Sequence, residues 1–250
     1  MSDPARLDRG DGHHLAHVRH QGEGPGEGPG VMFLGGFASD MGGTKAMHLD
    51  AWARRAGRTF LRFDYFGHGA SSGAFEEASI TRWREDTLAA LDQLTDGPQI
   101  LVGSSMGGWM ALLAALARPQ RVKALVLIAP APDFTEKLMW ASLPFHVKQA
   151  IETDGRWEQP SPYGGKTVIT RTLIEDGRRW SILDAPIKIG VPVRILHGWR
   201  DPDVPWDHAV RLMEALSGKD VELHLSKSGD HRLSTEADLK RLVETIEAIG

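Results

Sequence analysis

The 250-residue sequence contains no cysteine, and this absence removes several kinds of chemistry at once. Without a thiol there is no disulfide framework, no thiolate metal site and no catalytic cysteine. Cysteine hydrolases and zinc ribbons are therefore excluded. The composition also suits a reducing compartment.

The sequence also lacks a basic excess and a long apolar run. Its 29 Lys and Arg residues stand against 33 Asp and Glu residues, so nucleic acid is not expected as a partner. The most apolar stretch, residues 124–129, is far shorter than the roughly 20 residues that span a bilayer. The polar start has no signal-peptide core. We expect a cytoplasmic protein without membrane insertion, and the sequence leaves its oligomeric state open.

Six short runs are apolar, rich in β-branched or aromatic residues, and bounded by Gly, Pro or polar residues. Helical periodicity or one long insertion separates them. This alternation predicts an α/β fold with a mostly parallel sheet covered by helices on both faces. A weakly alternating segment at residues 15–21 leads into a Gly-Glu-Gly-Pro doublet that predicts a loop or turn, and we interpret this doublet as the connection of an edge hairpin and not as a linker. The six predicted strands are residues 31–37, 59–65, 99–104, 124–130, 193–199 and 221–226.

Residues 133–185 interrupt the alternation of strands and helices. Prolines divide this stretch into short apolar helices, predicted at residues 135–141 and 169–183. We interpret it as a lid inserted into a core formed by residues 1–132 and 186–250. Ligands of open α/β sheets bind at the carboxyl ends of the strands, so we expect the lid to pack over that edge.

Ser105 stands at the centre of a Gly-x-Ser-x-Gly motif, between Gly103 and Gly107. A predicted strand ends just before the motif and a predicted helix follows it, which is the context that a nucleophile elbow requires. The sharp turn exposes the central side chain, and glycine on either side leaves room for the crowded backbone. Ser105 is the predicted nucleophile.

Two further residues follow Ser105 in the chain, first an acid and then a histidine. This is the order in which the catalytic acid and base follow the serine of a nucleophile elbow. Asp201 comes just after the fifth predicted strand, and His231 lies in the loop after the last one. Asp203 is the alternative acid, although its position also suits a turn or helix cap. Asp201 leaves the strand earlier and is the preferred choice.

The glycine pair Gly35-Gly36 at the end of a predicted strand lets backbone N–H groups approach a substrate oxygen. We expect the N–H groups of Phe37 and Met106 to form an oxyanion hole. Four histidines between residues 13 and 20 alternate over two faces of a strand, so no metal site is predicted there. No cofactor is expected.

The Gly-x-Ser-x-Gly motif, the His-Gly-x-x-Asp-x-x-Val-Pro stretch beginning at His197, and the late His231 together resemble the α/β-hydrolase fold serine hydrolases. The similarity is strongest to a mitochondrial α/β-hydrolase-domain family of palmitoyl-protein thioesterases and acyl-glucuronide hydrolases. It covers nearly the whole chain from about Phe33 onward. The resemblance implies an α/β-hydrolase fold with Ser105, Asp201 and His231 as the catalytic residues. The stretches that carry the similarity include residues 62–65, 96–105, 107–109, 204–206 and 228–232.

Together these features predict a serine hydrolase of carboxylic esters or thioesters that works through an acyl-enzyme. The substrate is then a small molecule or an acylated protein. An apolar lid favours a medium or long acyl chain, and its expected lining residues are Met139, Trp140, Leu143 and Phe145. Other chemistry on the same triad, in a C–C bond hydrolase, a perhydrolase or a peptidase, stays open. A non-catalytic ligand receptor is disfavoured because all three triad members are present.

Overall fold

The computed structural model describes residues 4–22, 28–160 and 166–250. Within these ranges the chain forms ten strands and seven α-helices. The strands are β1 (Ala5–Asp8), β2 (His14–His20), β3 (Gly30–Leu34), β4 (Phe60–Phe63), β5 (Gln99–Ser104), β6 (Val122–Ile128), β7 (Arg156–Pro160), β8 (Lys166–Thr170), β9 (Val193–Gly198) and β10 (Val221–Ser226). The helices are α1 (Thr44–Arg55), α2 (Ile80–Leu94), α3 (Met106–Ala117), α4 (Phe145–Asp154), α5 (Arg171–Arg179), α6 (Trp206–Ala215) and α7 (Glu236–Ile249).

Eight of the described strands form one sheet in the order β1-β2-β4-β3-β5-β6-β9-β10. The pairs β1/β2 and β2/β4 are antiparallel, and all the other neighbours are parallel. The predicted strands 99–104 and 221–226 coincide with β5 and β10, and the other four differ by one to three residues at their ends. The mostly parallel sheet is confirmed.

The segment at residues 15–21 forms β2, and its interpretation as part of an edge hairpin connected by the doublet is wrong, because β2 does not pair with β3, the next strand in the chain. β2 lies between β1 and β4, and β1 forms the edge. β1 was not predicted because it has only four residues, of which three are exposed, so it shows no burial alternation. Most of the Gly-Glu-Gly-Pro doublet, residues 23–27, lies outside the described residues.

Alternating side chains of the central strands pack against helices on opposite faces of the sheet. Met32 and Leu34 of β3 join the larger apolar cluster, which includes side chains of α2, α3 and α6. Val31 and Phe33 join a second cluster with α1 and α7. This period of two follows from the pleat of a strand, and it confirms helices on both faces.

Helix α3 is buried on nearly every side, since 10 of its 12 residues are buried. Its sequence contains no charged residue, in keeping with a helix enclosed by the sheet and its neighbours. The helix begins directly after Ser105, so it fixes the position of that residue within the core.

Residues 133–185 contain a short π-helix (Thr135–Trp140), α4, the antiparallel pair β7/β8 and α5. The predicted helix at 169–183 is therefore too long at both ends. It begins at Arg171, because the side chain of Thr170 accepts a hydrogen bond from the Leu173 N–H and caps the first turn. The β7/β8 pair was missed, and the residues joining its strands lie outside the described part.

The segment has a small apolar core of its own, made by Val147, Ile151, Ile169 and Ile174. It is also tied to α2, since both carboxylate oxygens of Asp176 accept hydrogen bonds from Thr81, each at 2.7 Å. None of the helices in the described ranges has the length and apolar character needed to cross a membrane.

Candidate active site

Ser105 occupies a tight turn between β5 and α3 with a backbone conformation that is rare for a residue with a side chain. Its φ is 55° and its ψ is −118°. The Ser105 N–H donates to the carbonyl of Ile128 in β6 at 2.9 Å, and the Ser105 carbonyl accepts from Gly108. Such conformations cost of order 1–3 kcal/mol and persist where the surrounding structure enforces them.

The two glycines of the motif are required by close backbone contacts. A Cβ at Gly103 would lie 2.4 Å from the carbonyl oxygen of Gly107. A Cβ at Gly107 would lie 2.1 Å from the carbonyl oxygen of Leu34, at the end of β3. The backbone of the elbow is therefore in close contact with α3 and with β3, and a residue larger than glycine does not fit at position 103 or 107.

His231 lies beside Ser105, although 126 positions separate them in the sequence. Its Nε2 is 3.1 Å from Ser105 Oγ, and its Nδ1 is 2.8 Å from Asp201 Oδ2. An ionised carboxylate can only accept, so Nδ1 carries the proton and Nε2 is left to accept from the serine hydroxyl. The three groups form a continuous chain of hydrogen bonds.

Asp201 is held rigidly in a short loop after β9. Its side chain is fully buried, and Oδ1 accepts hydrogen bonds from the N–H groups of Asp203 and Val204 at 2.9 and 2.8 Å. The Asp203 residue is exposed, and the hydrogen bond to His231 Nδ1 comes from Asp201. Of the two candidate acids, Asp201 has the geometry to orient the imidazole.

His197 is a buried neighbour of this site to which the sequence assigned no role. Its Nε2 donates to the Val204 carbonyl at 2.9 Å and lies 3.5 Å from Asp201 Oδ2. Burial lowers the pKa of His197, so the ring is neutral and adds no charge beside the carboxylate. The residue stands at the start of the His-Gly-x-x-Asp stretch, but its partners are visible only in the fold.

Lys45 near the start of α1 supports the loop that carries His231. Its Nζ donates to the carbonyl of Arg232 at 2.5 Å, and burial lowers the pKa of Lys45 to about 8. The contact joins residues 187 positions apart. Spacing in the sequence gives no signal for it.

The loop after β3 lies directly against the elbow. A Cβ at Gly36 would be 3.4 Å from Ser105 Cβ, so this backbone passes close to the Ser105 side chain. Met106 is the first residue of α3, and its N–H is one of the four that a helix leaves without an intrahelical acceptor. Phe37 and Met106 therefore lie on the two backbone segments that flank Ser105.

The four expected lid residues occupy different environments. Met139 is half-buried and packs against both the main core cluster and the small apolar core of residues 133–185. Of the two apolar cores, Trp140 and Leu143 pack only against the small one of residues 133–185. Phe145, at the start of α4, is 80% exposed.

One group within the described residues has the spacing of a metal site, namely Asp201, Asp203 and His231, whose ligand atoms lie within 4.8 Å of one another. Both oxygens of Asp201 already accept hydrogen bonds, and Nδ1 of His231 is committed to that carboxylate. A metal ion would have to replace these hydrogen bonds, so the residues fit a proton relay better than a metal.

Comparison with known proteins identifies relatives along almost the whole chain. Residues 31–159 match the family model described as alpha/beta hydrolase fold. The chain is 41% identical over 243 residues to the mitochondrial palmitoyl-protein thioesterase ABHD10 of Bos taurus, which covers 96% of this chain and 78% of the bovine one.

Two solved structures are similar along their full length. A crystal structure of an Agrobacterium vitis S4 protein is 41% identical, with a TM-score of 0.92 over 98% of this chain and 97% of the other. The alpha/beta hydrolase domain-containing protein 10 from mouse is 38% identical, with a TM-score of 0.89 over 99% of this chain and 98% of the other.

Proposed function

The chain belongs to the α/β hydrolase fold family, and we propose that it is a serine hydrolase that cleaves carboxylic esters or thioesters. The observation that carries the proposal is the hydrogen-bond chain from Ser105 Oγ through His231 to Asp201. A serine hydroxyl is a weak nucleophile at its ordinary pKa, and a neutral imidazole at 3.1 Å supplies the base that it needs.

In the first half-reaction Ser105 Oγ bonds to the acyl carbon while its proton passes to His231 Nε2. The carboxylate of Asp201 stabilises the imidazolium that forms. His231 then gives the proton to the leaving oxygen or sulfur as its bond to the acyl carbon breaks. In the second half-reaction water attacks the acyl-enzyme by the same steps, which releases the carboxylic acid and restores Ser105.

The N–H groups of Phe37 and Met106 are the proposed donors to the oxyanion of the tetrahedral intermediate. Two features support them: Met106 N–H lies at a helix N-terminus, and the backbone next to Phe37 lies against the side chain of Ser105. Removing one donor of this kind costs about 10²–10³ in kcat. No metal or organic cofactor takes part in the proposed sequence.

For the substrate we propose a medium or long acyl chain, bound by the lid at residues 133–185 through Met139, Trp140, Leu143 and Phe145. Two observations support this choice: the mammalian relatives are named palmitoyl-protein thioesterases, and these four side chains are apolar and at least partly accessible. Small-molecule esters and acylated proteins both fit. A cytoplasmic location remains a prediction, since those relatives are named as mitochondrial.

Covalent labelling with a fluorophosphonate tests the catalytic proposal. The wild type should be labelled and should hydrolyse p-nitrophenyl acetate, and Ser105→Ala should lose both properties. Ser104→Ala is the matched control, because Ser104 precedes the elbow in the same sequence motif, and it should keep most of both. Mass spectrometry that places the adduct on Ser104 would refute the assignment.

A panel of p-nitrophenyl esters from C2 to C16, beside an acyl-CoA and a palmitoylated peptide, tests the substrate proposal. We expect kcat/KM to rise with acyl length, because each buried CH₂ contributes about 0.8 kcal/mol. A profile that falls beyond C4 would reject the long-chain assignment while leaving the serine hydrolase assignment intact.

A further inference from the structure

The backbone that carries the Phe37 N–H forms a tight turn after β3. Ser39 N–H donates to the Gly36 carbonyl at 3.3 Å, which closes the turn over Phe37 and Ala38. Ala38 has a φ of 54°, in the left-handed region that favours glycine. A turn with this geometry requires support from outside.

His68, in the loop after β4, supplies a contact to this turn. The Ala38 N–H donates to His68 Nε2 at 3.1 Å. On the other side of the ring, Nδ1 faces the Phe66 carbonyl at 3.1 Å. A carbonyl can only accept and an N–H can only donate, so the ring must be neutral with its proton on Nδ1. Burial of the ring lowers the pKa of His68, in agreement with this form.

The His68 ring and the Phe37 ring rest on the same aromatic side chains. His68 packs edge-on against Phe75 and Trp83, with ring centroids 5.0 and 5.4 Å apart. Phe37 packs against the same two rings at 5.0 and 5.8 Å. Phe37 is thus fixed through its side chain, and the peptide that follows it is fixed through His68.

We propose that His68 is a positioning residue for the reaction, whose Nε2 holds the Ala38 N–H and thereby directs the neighbouring Phe37 N–H toward the oxyanion. The inference rests on the proposed serine hydrolase function. It assigns a role to the Gly-His-Gly segment at residues 67–69, in the loop after β4. His68 does not touch the substrate and acts through the backbone of the turn.

Two substitutions separate the hydrogen bond from the packing of the ring. In His68→Gln the amide oxygen can occupy the place of Nε2 and accept from Ala38, whereas the Nδ1 donor is lost. In His68→Asn the amide nitrogen can occupy the place of Nδ1, whereas the acceptor for Ala38 is lost. Both variants remove the aromatic ring, so they form a matched pair.

We expect His68→Asn to lower kcat for p-nitrophenyl acetate by about 10–100-fold with little change in KM, because misplaced oxyanion donors weaken transition-state binding alone. His68→Gln should retain most of kcat. A trifluoromethyl ketone, which adds to serine and forms a tetrahedral alkoxide, should lose affinity for the Asn variant by a similar factor. Equal losses of kcat in the two variants would reduce His68 to a packing residue and overturn the proposal.

The wild type and Ser105→Ala are assayed in parallel. This comparison distinguishes failure of the role proposed for His68 from failure of the proposed serine hydrolase function. If Ser105→Ala is as active as the wild type, both proposals fall, whereas if it is inactive and the two His68 variants are alike, only the role of His68 falls. Long-range ¹H–¹⁵N NMR of the wild type covers the case in which His68→Asn does not fold. We expect the neutral Nδ1–H form, and an Nε2–H form would overturn the proposal.

Discussion

Asp133 and Leu183 lie 50 residues apart in the sequence, and the Leu183 N–H donates to the Asp133 carboxylate at 2.9 Å. The Ile182 N–H donates to the same carboxylate at 2.9 and 3.1 Å. Asp133 is completely buried, and burial raises its pKa. One carboxylate therefore joins the two ends of the segment proposed as a lid.

Replacing this carboxylate should loosen the ends of the segment. Asp133→Ala leaves two N–H groups without their acceptor, which costs roughly 1–3 kcal/mol for a buried group. Limited proteolysis should then cut within residues 133–185 at lower protease concentrations than in the wild type. Asp133→Asn keeps one acceptor oxygen and should be intermediate. Identical cleavage of all three proteins would show that the carboxylate does not hold the segment closed.

The two candidate acids can be separated by neutral substitutions. In Asp201→Asn the amide oxygen can still accept from the Val204 N–H, but the NH₂ group then faces His231 Nδ1. An NH₂ group can only donate, so it favours the His231 tautomer with the proton on Nε2, which cannot accept from Ser105. We expect kcat for p-nitrophenyl acetate to fall by about 10³–10⁴. Asp203→Asn should change kcat less than about threefold. The hydrogen bond from residue 203 to the Asp201 carboxylate comes from the backbone N–H, which the substitution keeps. A larger loss in Asp203→Asn would reverse the assignment.

Phe145 offers a test of the acyl site with little risk to the fold, because it is 80% exposed. Phe145→Asp should lower kcat/KM for a dodecanoate ester by about tenfold or more and leave the acetate ester unchanged. A long chain loses contacts worth about 0.8 kcal/mol per CH₂ and must approach a carboxylate, whereas an acetyl group does not reach the lid.

Met213→Asp is the matched control, because Met213 is an exposed apolar residue of α6, outside the lid. Met213→Asp should leave kcat/KM unchanged for both the dodecanoate and the acetate ester. If Phe145→Asp lowers both rates equally, or neither, Phe145 does not contact the acyl chain.

Asp86 on α2 should make stability depend on pH. Burial raises its pKa to about 6, although the Phe66 N–H and the guanidinium groups of Arg9 and Arg82 oppose the shift. A folded-state pKa above the unfolded value means that the folded protein favours protonated Asp86. The contribution of Asp86 to the free energy of unfolding is therefore complete below about pH 4 and is lost as pH rises through about 6.

Asp86→Asn should remove this dependence, since the amide oxygen can still accept from the Phe66 N–H and carries no charge. Urea unfolding of both proteins between pH 4 and 7 measures the effect. Relative to the wild type, the variant should gain roughly 2 kcal/mol in free energy of unfolding between pH 4 and 7. A difference that stays constant with pH would show that Asp86 does not titrate there.

The sequence was most informative where a signal is local. Strand β5 could be placed to the residue because an apolar run ends at a glycine motif, and the order Ser105, Asp201, His231 follows from the positions of strand ends. Parallel strands bring their carboxyl ends to one edge, so residues far apart in the chain could be expected to meet.

The supporting residues could not be found in this way. His68 and His197 act through single contacts to backbone groups, and a pattern of burial does not reveal which carbonyl or N–H faces a ring. The β7/β8 pair belongs to a separate small core, so its apolar residues resemble those of short helices. Strand β1 depends on pairing with β2 and has little apolar character of its own.

The hydrogen bond from the Ser105 N–H to the Ile128 carbonyl joins Ser105 to β6, near the centre of the sheet. Its neighbours Met106 and Trp109 are wholly buried, so the amide of Ser105 can exchange with solvent only when this part of the core opens. We therefore expect the geometry around Ser105 and the global fold to be lost in one cooperative step. Heat inactivation should accordingly coincide with the main calorimetric transition, even in variants in which the segment at residues 133–185 opens at lower temperature.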